Sequence, residues 1–268
     1  MTAENNKDLL QVDVIRQSLN QSLFASNIIL HRSLNSTNIL AKELAAKGAP
    51  EGTIVLTEEQ TRGMGRMGRQ WLSPGYVNLL FSILLYPNIK PDQIFVLTMT
   101  LALATIEAVK ERCSITPLIK WPNDIYVNRR KLAGILAEFS LSHGRIEYVI
   151  LGLGLNVNWN PNHEADLTNP ATSILQETGL KLSRNDLLVG ILRLFEDYYR
   201  DVLAGQIDDF YRRWNELSMI MGQEVEIQSA KEEIRGIAIR IDKKGALVIR
   251  DNQNNEQTIV SGDVSVRF

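Results

Sequence analysis

The chain has 268 residues, room for one large domain or a large and a small one, and at 44% hydrophobic it can bury a sizeable core. Lys and Arg number 29 against 31 Asp and Glu, a net charge of -2, so it has no global basic field of the kind that holds nucleic acid. The single cysteine, Cys113, excludes an internal disulfide, and with His31, His143 and His163 far apart in sequence a Cys/His metal cage is excluded as well.

The polar, acidic start M-T-A-E-N-N-K-D lacks the basic and apolar regions of a signal peptide. No later stretch offers the ~18 consecutive apolar residues of a membrane span, so a soluble, cytoplasmic protein is expected. Val12, Ile15 and Leu19 fall at helical spacing, and residues 28–31 read as a strand. Thr37 is placed to cap a second helix with Leu40, Leu44 and Ala45 on one face, ended by Gly48 and Pro50. Residues 53–57 form a strand that enters an unusual loop.

That loop, residues 58–71, reads E-E-Q-T-R-G-M-G-R-M-G-R-Q-W. Gly63, Gly65 and Gly68 alternate with Arg62, Arg66 and Arg69, so backbone amides and guanidinium groups can converge on one anion. It is not a P-loop, which needs G-K-[ST] opening a helix. Contact with nucleic-acid phosphates is the rival reading, but aromatic interleaving is limited to Trp71, and a small anionic ligand fits better.

Residues 77–86 are strand-like, and Asp92 is placed to cap a long, half-buried helix over 93–112. Strands are then expected over 118–127, 132–141 and 146–157, joined as an antiparallel meander by short turns. Residues 158–169 read as an irregular loop. Ser183 caps the longest of two or three following helices, whose face is Leu187, Leu188, Ile191, Leu194 and Phe195, and Phe210 with Trp214 belong to another. Beyond about residue 218 the pattern changes to five short strands, 224–228, 234–241, 246–250, 257–260 and 264–268. The expected organisation is a domain over 1–218 and a small barrel over 219–268.

Two further clusters carry chemistry. Lys120-Trp121-Pro122-Asn123-Asp124 stands where a central strand is expected, and proline there marks a bulge or strand margin that re-aims side chains, making Lys120 either a fixed cation at a site or a surface lysine. Gly152-Leu153-Gly154-Leu155-Asn156 puts both glycines on one side of a strand, leaving that side open to a ligand or to a closely packed helix. Lys131-Leu132-Ala133-Gly134-Ile135-Leu136 adds a small pair inside a strand, and Ser36-Thr37-Asn38 sets hydroxyls and an amide at a helix start.

In order and spacing, G-M-G-R-M-G-R-Q-W, K-W-P-N-D, K-L-A-G-I-L-A-E and G-L-G-L-N resemble the biotin protein ligases, across nearly the whole chain. The family signature is a Gly-Arg-Gly-Arg-x-Gly-Arg loop followed by tryptophan, then K-W-P-N-D, K-L-A-G-I-L and G-x-G-x-N. Only Met64 departs, standing where the family has its first loop arginine; Arg62 is the obvious substitute.

The resemblance implies an α+β fold of the class II aminoacyl-tRNA synthetase and biotin ligase type: a mixed, largely antiparallel sheet with helices packed on one face, plus a small C-terminal SH3-like barrel. It implies a monofunctional ligase without the N-terminal DNA-binding domain of bifunctional relatives. The implied reaction joins biotin and ATP, with Mg²⁺ brought by the nucleotide rather than held by dedicated ligands. Biotinyl-5'-AMP then passes its biotin to a lysine of a biotin carboxyl carrier protein domain. Neither nucleic acid nor membrane is an implied partner, and both monomer and homodimer remain open.

Carried over by motif, Lys120, Arg66 and Arg69 are the catalytic cations. Ser36, Thr37, Asn38, Gln60, Gly63, Met64, Gly65, Arg66, Lys120 and Gly152 surround biotin. Arg66, Arg69, Trp71, Asn123, Lys131 and Asn156 hold the adenylate. Asp124 is either a base for the acceptor lysine or an orienter of Lys120. A glycine-rich lid over the hydrolysable intermediate is expected. The alternatives are a lipoate ligase, or a non-catalytic module that binds biotin, nucleotide or nucleic acid.

Overall fold

The computed structural model describes residues 8–160, 170–228, 233–260 and 262–266. Helix α1 (Val12–Ser18) leads into β1 (Ile28–His31), α2 (Thr37–Ala46) and β2 (Ile54–Thr57). A short ribbon, β3 (Gly63–Met64) and β4 (Gln70–Trp71), precedes β5 (Leu79–Leu85) and the long helix α3 (Ile94–Lys110). Strands β6 (Leu118–Lys120), β7 (Asp124–Val127), β8 (Arg130–Ser142) and β9 (Arg145–Leu155) follow, then α4 (Ile174–Thr178), α5 (Arg184–Leu203) and α6 (Asp208–Leu217). The chain finishes with β10 (Glu224–Gln228), β11 (Glu233–Ile241), β12 (Leu247–Arg250), β13 (Glu256–Ile259) and β14 (Asp263–Val266).

The main sheet runs β1-β2-β5-β9-β8-β7-β6, with β1 parallel to β2 and every other pair antiparallel. Period-two alternation sends Ile54, Leu56, Phe81, Ile83, Leu151 and Leu153 into one core, beneath α1, α3, α5 and α6. The opposite residues Val55, Leu84 and Ile150 pack against α2, through Ala41 and its partly buried neighbours Leu40, Leu44 and Ala45, with Leu34, Ala49 and Tyr148 at the margin. The fold is therefore α+β, with the principal helices on one face and α2 added on the other. Strands β13-β12-β11-β10-β14 form a second, wholly antiparallel sheet, consistent with an SH3-like barrel.

Helix α3 is buried along nearly its whole length, not half, because the sheet, α5 and α6 enclose it. The segment 91–110 is long and apolar enough to cross a membrane, but 78% of its apolar window is buried within the protein.

Local starts differ from expectation. Ser36, not Thr37, occupies the N-cap of α2 and makes no side-chain cap; Gln60 Oε1 accepts the Thr37 N–H instead, at 2.8 Å. Asp92 falls inside a 3₁₀ turn, Pro91–Gln93, and α3 begins after it without a side-chain cap. Ser183 does cap α5, accepting from Asp186 N.

The single strand expected over 118–127 is two strands, β6 and β7, paired antiparallel with Lys120 opposite Asp124. Trp121-Pro122-Asn123 is the turn between them, with a cis peptide before Pro122, and the pair lies at the sheet edge rather than its centre. Proline has no N–H for a ladder, so the chain reverses there instead of running on. Of the expected loop 158–169, residues 161–169 lie outside the described residues.

Candidate active site

A cleft of about 920 Å³, at the upper end of the range for small-molecule sites, is lined by residues of the main sheet, the start of α2, the glycine and arginine loop and the β6–β7 turn. The glycine and arginine loop forms one wall. Gly63 pairs with Trp71 and Met64 with Gln70 in the β3–β4 ribbon, and Gly65 N donates to Arg69 O at 2.7 Å to close its tip. At that tip Met67 adopts φ 55°, ψ 32°, a left-handed conformation that costs a non-glycine residue about 1–2 kcal/mol.

The β6–β7 turn forms the facing wall. Asn123 is fixed on β8 by two bonds, its Nδ2 to Ile135 O and its carbonyl from Ile135 N, and its Oδ1 receives Arg66 Nη1 at 3.5 Å. Trp121 is buried and donates Nε1–H to Gly245 O at 2.9 Å, tying the turn to the β11–β12 connection of the C-terminal sheet. Gln228 and Val264 from that sheet also line the cleft.

Between the walls the charge is one-sided. Among the described residues lining the cleft, Arg66, Arg69, Lys120 and Lys131 face a single carboxylate, Asp124. Asp124 Oδ1 pairs with Lys131 Nζ at 2.8 Å, and Lys131 also lies over the Trp71 ring, 5.4 Å from its centroid. Lys120 Nζ sits 5.2 Å over the Tyr126 ring. Burial holds the Lys120 pKa below its ordinary value; Asp124 opposes this, while Lys131 and Arg69 add to it. Burial lowers Arg66 too, with Asp124 opposing and Arg69 reinforcing. Tyr126 is pushed up to about 12, chiefly by burial, and stays neutral. Such a cluster is short of negative charge and complementary to an anion.

At the far end the lining becomes polar and uncharged. Thr37 Oγ1 lies 3.2 Å from Gln60 Oε1 and 2.7 Å from Ser82 Oγ. Ser82 donates to Asn38 Oδ1 at 2.6 Å, and Asn38 Nδ2 donates to Glu138 Oε2 at 2.8 Å and Leu136 O at 3.3 Å. The glycine strand serves these side chains. A Cβ on Gly152 would lie 2.1 Å from Asn38 Oδ1, and one on Gly154 2.5 Å from Trp71 Cε2. Both readings of these glycines thus have a part: they open the cleft face, and the space under Gly152 is taken by a residue of α2.

Nearly every residue expected at the site lines this one cleft: Ser36, Thr37, Asn38, Gln60, Met64, Gly65, Arg69, Trp71, Asn123, Lys131, Gly152 and Asn156 join Arg66, Lys120 and Asp124. Gly63 does not; it is buried beneath the Trp71 carbonyl, 2.6 Å from where its Cβ would be, and shapes the ribbon instead. Arg62 is exposed and outside the lining, so the position it was expected to cover is occupied by Met64 itself, 40% exposed. Asp124 pairs with Lys131 rather than with Lys120. Tyr126 and Trp159 were missed because an aromatic in a strand or loop carries no signal separating cleft from core. Trp71 Nε1 and Asn156 Oδ1 are buried without a partner among the described residues, and such atoms cost about 1–3 kcal/mol until something bonds them.

Comparison with known proteins agrees with the geometry. Residues 30–156 match the Biotin/lipoate A/B protein ligase family, and residues 220–267 match the Biotin protein ligase C terminal domain. The bifunctional ligase/repressor BirA of Bacillus subtilis is 35% identical over 253 residues, covering 94% of this chain and 78% of that protein. The biotin--[acetyl-CoA-carboxylase] ligase of Mycobacterium tuberculosis is 28% identical, covering 97% of this chain and 98% of the other. The biotin protein ligase of Aquifex aeolicus, solved in complex with biotin and ATP, superposes with a TM-score of 0.77 at 28% identity, over 90% of this chain and 99% of that one.

Proposed function

The chain belongs to the biotin protein ligase family, whose members attach biotin with ATP, and from that premise we propose how its own cleft performs the reaction. The observation that carries the reading is the joining of two unlike ends in one cleft. A neutral polar end at Thr37 and Gln60 suits a urea-type ring, and a cationic end at Lys120, Arg66, Arg69 and Lys131 suits a carboxylate beside a triphosphate.

In the first step a biotin carboxylate oxygen bonds to the α-phosphorus and pyrophosphate leaves. Two anions must meet, and fixed cations in a site shielded from water offset that repulsion without reorganising. We assign Lys120 to the carboxylate and α-phosphate, because its stem is fixed on β6 while its ammonium is half-buried. Arg66 reaches across to Asn123, so loop and turn close on the phosphates together. Trp71 and Asn156 take the adenine end, Asn156 already bonded through Nδ2 to Thr172 O at 2.9 Å. Mg²⁺ would be brought by the nucleotide and would neutralise phosphate charge, while Asp124 is held by Lys131.

In the second step a carrier lysine amine bonds to the acyl carbon, AMP leaves, and the amine loses a proton. We assign Asp124 to orienting Lys131 rather than to taking that proton, since its carboxylate is engaged at 2.8 Å. The β3–β4 ribbon is the lid, carrying the exposed and strained Met67 at its tip. We place the domain division near residue 218, at the end of α6, and assign the C-terminal sheet to bracing the β6–β7 turn through Trp121.

The test is incubation with ATP, Mg²⁺, a carrier domain and either biotin or lipoate, with carrier mass as the readout. A biotin-dependent addition on one lysine is expected. Addition of lipoate alone, or no addition with either acid, would overturn the reading.

A further inference from the structure

Ser82 belongs to no motif of the cleft and Glu138 is the last residue of K-L-A-G-I-L-A-E, and the shortest hydrogen bonds that run through the two set one direction. Glu138 is ion-paired to Lys42, so its carboxylate only accepts. Leu136 O also only accepts, so the Asn38 amide must turn its NH₂ toward both and its Oδ1 toward Ser82. Oδ1 cannot donate; the Ser82 proton is therefore spent on it, at 2.6 Å. Ser82 has no second proton for the 2.7 Å contact between the two hydroxyls, so Thr37 donates there in preference to its longer 3.2 Å contact with Gln60 Oε1. With its proton gone, Thr37 Oγ1 shows only lone pairs to the cleft. Gln60 follows, because its Oε1 is held by the Thr37 N–H at 2.8 Å and its Nε2 is left as a donor.

We propose that Glu138 and Ser82 are positioning residues that set the polarity of the biotin end, forcing Thr37 to accept and Gln60 to donate. This rests on the proposed biotin reading and deepens it. An acceptor beside a donor is the complement of a urea edge, N–H next to C=O, and rejects groups with the reverse order. The Glu138 carboxylate, ion-paired with Lys42, supplies the asymmetry, and the buried Ser82 transmits it. It also redefines Asn38: both its N–H groups and its Oδ1 are used within the protein, so it relays polarity rather than touching the ring.

The experiment compares Glu138→Gln, Ser82→Ala and the double variant by steady-state pyrophosphate release, varying biotin and ATP separately. Each single change should raise the KM for biotin about tenfold, the effect of losing one oriented hydrogen bond, with kcat and the KM for ATP within about twofold. The double variant should resemble the singles, because both cut one chain. Glu138→Gln keeps the side chain's size and sits on a partly exposed site, so its melting temperature should match the parent. Unchanged KM for biotin in both singles, or fully additive effects, would overturn the relay while leaving the ligase reading intact. Failure of the parent chain to use biotin would overturn the reading beneath it.

Discussion

Along β9 the odd-numbered residues Val149, Leu151, Leu153 and Leu155 pack in the apolar core under α3 and α5, whereas the even-numbered Gly152 and Gly154, with Asn156 just past the strand end, line the cleft, which Leu153 also touches. One strand thus carries two opposite specifications. The core face is built by filling volume, since close-packed side chains lose stability with each methylene removed. The cleft face is built by removing it, so that Asn38 and Trp71 can lie against bare backbone. Neighbouring substitutions on β9 should therefore fail in different ways.

The largest expected effect lies at the cationic end. Lys120→Met should lower kcat/KM for biotin- and ATP-dependent pyrophosphate release by about 10²–10³, as for a lost oriented donor to developing charge, with a melting temperature near the parent's. Arg66→Gly should keep adenylate formation but open the lid, releasing activated biotin that labels bystander lysines; mass spectrometry of an added unrelated protein reads this out. Tight, carrier-only labelling would contradict it.

The comparison itself is sharpened by two changes three residues apart on β9. Leu151→Ala should cost about 2–5 kcal/mol in denaturant unfolding with the KM values unmoved. Gly154→Ala, whose new methyl meets the Trp71 indole, should instead raise the KM for ATP about tenfold, at the low end of the cost of overpacking. If both changes acted only on stability, the division of β9 into two faces would lose its functional meaning.

A subtler effect is in pH. Adenylation needs the charged form of Lys120, whose pKa burial holds below the ordinary lysine value, so activity should fall as pH rises through that lowered value. Asp124 opposes the lowering, so Asp124→Asn should move the alkaline limb of kcat/KM to lower pH. A limb that stayed in place would remove Asp124 from the electrostatics of Lys120. The smallest effect is expected at Arg62→Ala, which should leave both KM values within about twofold because the side chain lies outside the cleft.

Much of this was legible beforehand because the signals are local. The helix faces of α1, α5 and α6, the cap at Ser183, the strands of the C-terminal sheet and the four motifs all depend on residues near one another in sequence. The β6–β7 hairpin was not, because Lys120-Trp121-Pro122-Asn123-Asp124 signals an interruption of a strand without saying whether the chain bulges or turns back. Nor was the cap of α2, which a glutamine from a loop more than twenty residues away supplies.

By itself the sequence determined which residue types were available: glycines where a strand must be bare, arginines and lysines enough to hold an anion, and leucines at period two. Only the tertiary structure decided their partners. It set Asp124 against Lys131, withdrew Arg62 from the site, buried Gly63 under the ribbon and joined Glu138 to Thr37 through Asn38 and Ser82. The reason is physical. Periodicity and propensity act over a few residues along the chain, while ion pairs and hydrogen-bond direction depend on distances of about 3 Å between segments that only folding brings together.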